Sequence, residues 1–365
     1  MPRPGGTPHH ADRAHRHPFD PHRGPDVSAD DRREPVRFSL GLQTDKAPGD
    51  YAALARLAED LGFDGVSVFS DLLYQPPIAA LLEMAHATTR IRLGCACWNP
   101  FTLHPYEIAG QFAAVDAASA GRAYLGLARG SWLEAIGVEA GRPIAALRDA
   151  TGMIQALLSG SGEGYAGDVF RLEPGVRLRY PIVRERAPIL IGSWGPQGMA
   201  LAGEIADEIK IGGTANPAMV GIVRGRLGRG LKRAGRPDGA VGVVVGAVTV
   251  IDRDGDAARA LARREVAMYL DVIAALDPTV DLPDDLLPGI RSRLADGDEE
   301  GAGRLIPRDV LDLFAFSGTP DDIAAQARLL VDAGVDRIEF GTPHARVPAE
   351  GIVLLGREVL PRLRD

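Results

Sequence analysis

From Val36 onward the sequence alternates between short apolar runs and longer segments of helical period, a rhythm that few folds accommodate. Strand-like runs fall at Val36–Gln43, Gly65–Ser70, Ile91–Trp98, Ala123–Arg129, Ile189–Gly192, Glu208–Gly212, Val241–Ile251 and Asp336–Phe340. In the first intervening segment Tyr51, Leu54, Ala55 and Ala58 keep the i, i+3, i+4, i+7 spacing of one buried helix face, continued by Leu61. Further helices are expected at Ile78–Thr88, Tyr106–Ser119, Ile144–Leu158, Gln197–Ala206, Ala218–Ala234, Asp256–Ala275 and Asp321–Ala333. Gly62 and Gly334 stand where a helix C-cap needs positive φ. Eight strands alternating with eight helices predict an α/β fold, a (β/α)8 TIM barrel. A doubly wound open sheet is the weaker alternative, because the first strand does not run into a Gly-x-Gly-x-x-Gly turn.

The pattern assigns residues 36–365 to one domain with two insertions. One, 159–186, contains Tyr165–Phe170, which reads as a small hairpin; the other, 276–307, is acidic and Pro-rich and reads as a lid. Residues 1–35 differ: they hold five of the eight histidines (His9, His10, His15, His17 and His22), many Pro and Arg, and little apolar periodicity. A disordered leader is the expectation, with a metal-binding tail as the lesser reading. It lacks the apolar core of a secretory signal. The net charge of −8, from 49 acids and 41 bases, is dispersed, which argues against nucleic acid or an anionic membrane as partner. No apolar run approaches the roughly 20 residues of a membrane span. Cys95 and Cys97 lie too close along one strand to bridge, and two thiols in a chain this long suit a reducing, cytoplasmic setting without a structural metal.

In such barrels the chemistry sits at the C-terminal ends of the strands. Those ends carry Gln43-Thr44, Ser70-Asp71, Trp98-Asn99, Arg129-Gly130-Ser131, Ser193-Trp194, Gly212-Gly213-Thr214 and Gly341-Thr342-Pro343-His344. Polar and aromatic groups there suit a planar ligand with polar edges. The stretch Pro188–Gly213 is the most pointed. A short apolar strand delivers the turn Gly192-Ser193-Trp194-Gly195-Pro196 to a helix start, where free N–H groups form an anion cradle. A small-molecule ligand with a phosphorylated tail is implied.

Several segments together resemble the luciferase-like flavin and deazaflavin oxidoreductases, and within them the methylenetetrahydromethanopterin reductase subgroup. They are Ser70–Pro77, Arg90–Gly94 through Asn99-Pro100, Gly121–Leu127, Ile191–Pro196 with Ala202–Asp207, Phe314–Pro320 and Phe340–Pro343. The resemblance implies a barrel of the bacterial-luciferase type, the deazaflavin coenzyme F420 (FMN is the alternative) and a homodimer. It places a bulge at Ala96–Cys97, often a non-proline cis peptide in relatives, behind the ring. Asp71 and Asn99 would line the ring pocket, and Gly192, Ser193, Trp194, Gly195, Pro196, Gln197 and Met199 would hold the tail. Gln43, Trp98, Arg129, Gly130 and Ser131 complete the implied cofactor set. For Asp71 a cap or loop role is the other reading. Trp98 and Trp194 either stack on rings or fill the mouth, and Arg129 either neutralises an anion or lies along the rim. The apolar faces of the second and third helices (Leu81, Leu82, Ala85; Ile108, Phe112, Val115) are either interface or core.

Two departures bear on the chemistry. Leu72 stands where some deazaflavin dehydrogenases carry a His, and Ser131 stands near the place of a common Glu. Without that acid–base pair the site suits reduction of an activated C=N or C=C bond, where hydride addition needs mainly placement. Asp71, Tyr74, Glu134 and His344 are the candidate catalytic residues; His344 has a surface-loop reading as well, and His104 before Pro105 reads as a helix cap. The function expected is F420-dependent hydride transfer to a small organic substrate. An FMN-dependent monooxygenase and a non-catalytic flavin-binding barrel are the alternatives.

Overall fold

A computed structural model describes residues 35–364. The leader expected over 1–35 lies, Pro35 apart, outside the described residues. Eight parallel strands form the barrel: β1 (Arg37–Leu42), β2 (Gly65–Val68), β3 (Arg92–Cys95), β4 (Ala123–Ala128), β5 (Ile189–Gly192), β6 (Glu208–Gly212), β7 (Gly242–Ile251) and β8 (Arg337–His344). Each pairs with the next, and β8 closes onto β1 in the register Arg37↔Arg337 to Gly41↔Gly341. The closed (β/α)8 barrel expected from the alternation is therefore present.

Three features were not legible in that alternation. A short strand, Ala315–Gly318, pairs with Val248–Ile251, the part of β7 beyond its pairing with β6. The insertion read as a lid is largely helical, with helices at Leu286–Ala295 and Glu299–Arg304. The helix expected over Asp256–Ala275 is two, Gly255–Ala267 and Leu270–Ala274. These elements share a satellite core that includes Val266, Leu270, Ile290 and Phe314. The other insertion holds the expected hairpin, Tyr165–Ala166 against Arg171–Leu172.

The strands turn their aliphatic side outward. Phe38, Leu40, Val66, Leu93, Leu125, Ile191, Ile209, Val243 and Ile338 belong to the main core, packed beneath the helices. Leu81, Ala85, Ile108, Phe112 and Val115 join that core and Leu82 is partly buried against it, so these residues of the second and third helices face the core. No described helix is long and apolar enough to cross a membrane.

Candidate active site

The barrel interior is polar. Glu208-Ile-Lys210-Ile and Arg337-Ile-Glu339-Phe alternate charged and apolar residues with the period of a strand. On an open sheet such charges face water; here helices cover the outside, so they point into the barrel. Low in the interior Glu208 meets Arg337 at 2.8 Å, Arg37 at 2.9 Å and Arg92 at 3.8 Å. Burial alone raises the Glu208 carboxyl, but the guanidinium groups of Arg337, Arg92 and Arg37 outweigh it and hold the acid below its ordinary value. Above this lies a second tier. Lys210 is ion-paired with Glu339, Ser67 donates to Glu339, and the Tyr124 hydroxyl donates to the Ser67 hydroxyl at 2.8 Å. The sequence reading missed this network; its signal was the inverted alternation.

Over the second tier the interior becomes a cup walled by glycine. A Cβ at Gly212 would meet only Lys210 Cε, at 3.9 Å, and one at Gly246 would stand 3.4 Å from Lys210 Cε and Glu339 Cβ. A Cβ at Gly192 would press on the Cys97 sulfur, and one at Gly41 on the Phe69 ring. Open space remains beside Gly212, whereas Cys97 and Phe69 fill the space beside Gly192 and Gly41. The Ala96–Cys97 peptide is cis, at the bulge expected there. Burial pushes the Cys97 thiol up to about 12, so it is not a thiolate at neutral pH.

Polar groups gather on the rim. Gln43 Nε2 donates to Asp71 Oδ2 at 2.9 Å, while Gln43 Oε1 accepts from the Thr44 N–H, which fixes the amide's orientation. The Asp71 carboxylate is thus anchored yet exposed. Tyr74, three residues on, is half-exposed; partial burial and then the charges of Asp45 and Asp71 raise its phenol, keeping it protonated. Asn99 is buried, accepts from the Phe101 N–H at 2.8 Å and packs its amide nitrogen on Gly130, whose φ of +82° and lack of Cβ allow that approach. Arg129, Ser131 and Glu134 are exposed beyond β4, and Arg129 makes no ion pair among the described residues. Two surface cavities, of about 590 Å³ and 470 Å³, flank the helices beyond β7 and β8 and contain none of the cup or rim residues.

The turn after β5 is built as the sequence suggested. Gly195 is the N-cap of the helix Pro196–Ile205 and offers no side-chain cap, so Gln197 and Gly198 at its start have free N–H groups. The Ser193 hydroxyl lies against Gly198, where any Cβ would overlap it. Trp194 Nε1 donates to the Gly212 carbonyl at 3.0 Å, tying the turn to the cup, and Arg226 Nη1 donates to the Trp194 carbonyl at 3.2 Å.

Three expected site residues are placed elsewhere. Trp98 is buried and donates through Nε1 to Gln111 Oε1 at 3.2 Å, so its ring packs toward the helix Pro105–Ala118 rather than into the mouth. The Met199 side chain is buried under its helix, and its N–H is taken by the Gly195 carbonyl. His344 has no exposed surface: Nε2 meets the Phe340 carbonyl at 3.0 Å, Nδ1 has no partner, and burial pushes its pKa down to about 4. A neutral, enclosed imidazole cannot protonate a substrate at pH 7. His104 caps the helix at Pro105, accepting from the Tyr106 N–H.

The profile of the luciferase-like monooxygenase family matches residues 34–337. The chain belongs to this family. It is 29% identical over 339 residues to a 5,10-methylenetetrahydromethanopterin reductase of Archaeoglobus fulgidus, covering 90% of this chain and 100% of that protein. It is 27% identical over 350 residues, 90% of this chain and 97% of the other, to an F420-dependent glucose-6-phosphate dehydrogenase of Nakamurella multipartita. The structure of the coenzyme F420-dependent tetrahydromethanopterin reductase of Methanopyrus kandleri superposes with a TM-score of 0.83 at 26% identity, covering 90% of this chain and 100% of that one. The family is thus shared with enzymes whose names specify F420, as the sequence motifs implied.

Proposed function

We propose that this protein is an F420-dependent oxidoreductase that moves a hydride between the deazaflavin and a small organic substrate, reducing an activated C=N or C=C bond. One observation carries the reading: glycines at the strand ends and an uncapped helix start share one rim, in a chain whose relatives over nearly its whole length include enzymes named for F420. The open space at Gly212 would take one edge of a planar ring, and the cradle offers donors for a phosphate, so the residues present suit the cofactor. When bound, a deazaflavin supplies two-electron hydride chemistry at its C5.

The chain's own residues would do the rest. Ser193 and the N–H groups of Gln197 and Gly198 bind the tail, where the helix dipole adds to the attraction. Asn99 and the Ala96–Cys97 peptide back the ring, and Gln43 holds Asp71 at the mouth. Tyr74, protonated at neutral pH and half-exposed beside Asp71, donates the proton that accompanies hydride addition. Glu134, exposed in the turn after β4, and Arg129 contact the substrate from the other side of the mouth. Leu72 and Ser131 leave the rim without the acid–base pair an alcohol oxidation would use, which favours the reduction of an activated double bond. A homodimer is part of the proposal on family resemblance alone, and light scattering reads it directly.

The test is turnover with reduced F420 against a panel of cyclic imines, enoyl compounds and methylene-tetrahydropterins, and with oxidised F420 against secondary alcohols. Oxidation of the cofactor by an imine, enoyl or pterin substrate supports the reading. Turnover confined to alcohol oxidation refutes the bond type, and binding without turnover across the panel refutes the enzyme.

A further inference from the structure

Inside the barrel the charges do not balance. Among the described residues Arg37, Arg92, Lys210 and Arg337 pair only with Glu208 and Glu339, leaving two positive charges in excess, in a chain whose formal net charge is −8. Arg37 and Arg92 are about one-third exposed at the lower end, where water screens them. Lys210 and Glu339, with side chains 8% and 1% exposed, are not screened in this way. Packing does not account for such a pair, since well-packed apolar residues often serve as well or better in a core. Its position is informative instead. Lys210 Nζ lies 4.9 Å from the centre of the Phe69 ring, and its Cε is the atom nearest the open space at Gly212. Lys210 is the cation adjoining whatever fills the cup, with Glu339 as its buried counter-charge.

We infer that the Lys210–Glu339 pair sets the ionisation of the ring held in the cup, Lys210 favouring the anionic form and Glu339 limiting that preference. The inference rests on the F420 reading above. Oxidised deazaflavin carries an acidic ring hydroxyl; the proton goes to solvent, the negative charge spreads over the ring, and visible absorbance follows the change. No bond other than O–H is broken. The neighbours facing Lys210 are Glu339 and Arg337 on β8, Glu208 on its own strand, Ser67 and Phe69 at β2, Tyr124 on β4 and Cys97 beyond β3. Burial raises the Tyr124 phenol and the Cys97 thiol, so neither titrates near neutrality. Lys210 and Glu339 are therefore positioning residues for charge, acting on the ring without exchanging atoms with it.

The test is a pH titration of the visible spectrum of bound F420 in the wild type, Lys210→Met, Glu339→Gln and the double variant. Lys210→Met is expected to raise the midpoint and Glu339→Gln to lower it, each by about one to two pH units, the size of a single-charge effect over about 6–12 Å at an effective dielectric near 20. The double variant returns close to the wild-type midpoint. Shifts of both single variants in the same direction, as loosened packing would give, or no shift in either, overturn the inference. Should Lys210→Met fail to fold, Glu339→Gln decides by sign: an unchanged or raised midpoint overturns it. Failure of the wild type to bind F420 overturns the cofactor reading as well, and is recognised before any titration begins.

Discussion

Replacing Gly212 with Val separates the cup from the fold that carries it. Gly212 ends β6 on the interior side, and a Cβ there meets nothing closer than Lys210 Cε at 3.9 Å. The barrel itself therefore accepts the side chain. A β-branched residue in place of a strand glycine gains up to about 0.5–1 kcal/mol, so the melting temperature holds or rises. The same methyl groups occupy the space assigned to the ring. Overfilling a packed site costs about 1–3 kcal/mol, which weakens F420 binding roughly 5- to 150-fold. Gly94→Ala is the contrast, because its Cβ would fall within the Tyr124 ring, below the cup. That variant loses about 1–3 kcal/mol of stability through overpacking. Thermal melts and a fluorescence titration with F420 read both quantities. Unchanged F420 affinity in Gly212→Val, or a stability loss matching that of Gly94→Ala, would refute the assignment of this space to the cofactor.

Three further outcomes are expected. Gly195→Asp, at a position with φ −74° and ψ 145° and open space around it, caps the helix and adds a few tenths of a kcal/mol of stability, while its carboxylate lowers F420 affinity by about tenfold; equal or tighter binding would count against the tail cradle. Tyr74→Phe lowers kcat by about 100-fold or more with F420 affinity unchanged, and an unaltered kcat removes Tyr74 as proton donor. His344, pushed down to about 4 by burial, binds its proton in the unfolded chain first, so its contribution is complete above pH 6.5 and is lost between there and pH 4, up to about 3 kcal/mol. His344→Asn, which tolerates the φ of +72°, should flatten that part of the melting-temperature profile; identical acid slopes in the two proteins would exclude the burial argument.

Much of the barrel was legible because most strands are short apolar runs, β6 and β8 alternate with the strand period, and each helix keeps its own period. The Ala315–Gly318 strand was hidden because Phe314-Ala-Phe-Ser-Gly is short and directly follows a helix, Arg308–Phe314, with no turn between. The helices of the second insertion were obscured by its Pro and Asp content, which local pattern reads as loop. Gln43, Asp71, Asn99 and the turn after β5 could be placed on the rim from the sequence because they interrupt apolar runs at strand ends. Trp98, Met199 and His344 were misplaced for the converse reason: position along the chain gives the strand end, but not the side toward which the residue points. The interior ion pairs required one further inference, that a strand covered by helices turns its polar face inward.

The central claim concerns the cofactor, and direct titration tests it. Adding F420 and FMN separately to the protein, and following fluorescence of each, is predicted to give F420 dissociation near the micromolar range or below, with FMN at least about tenfold weaker. Tight FMN binding with negligible affinity for F420 would contradict the account.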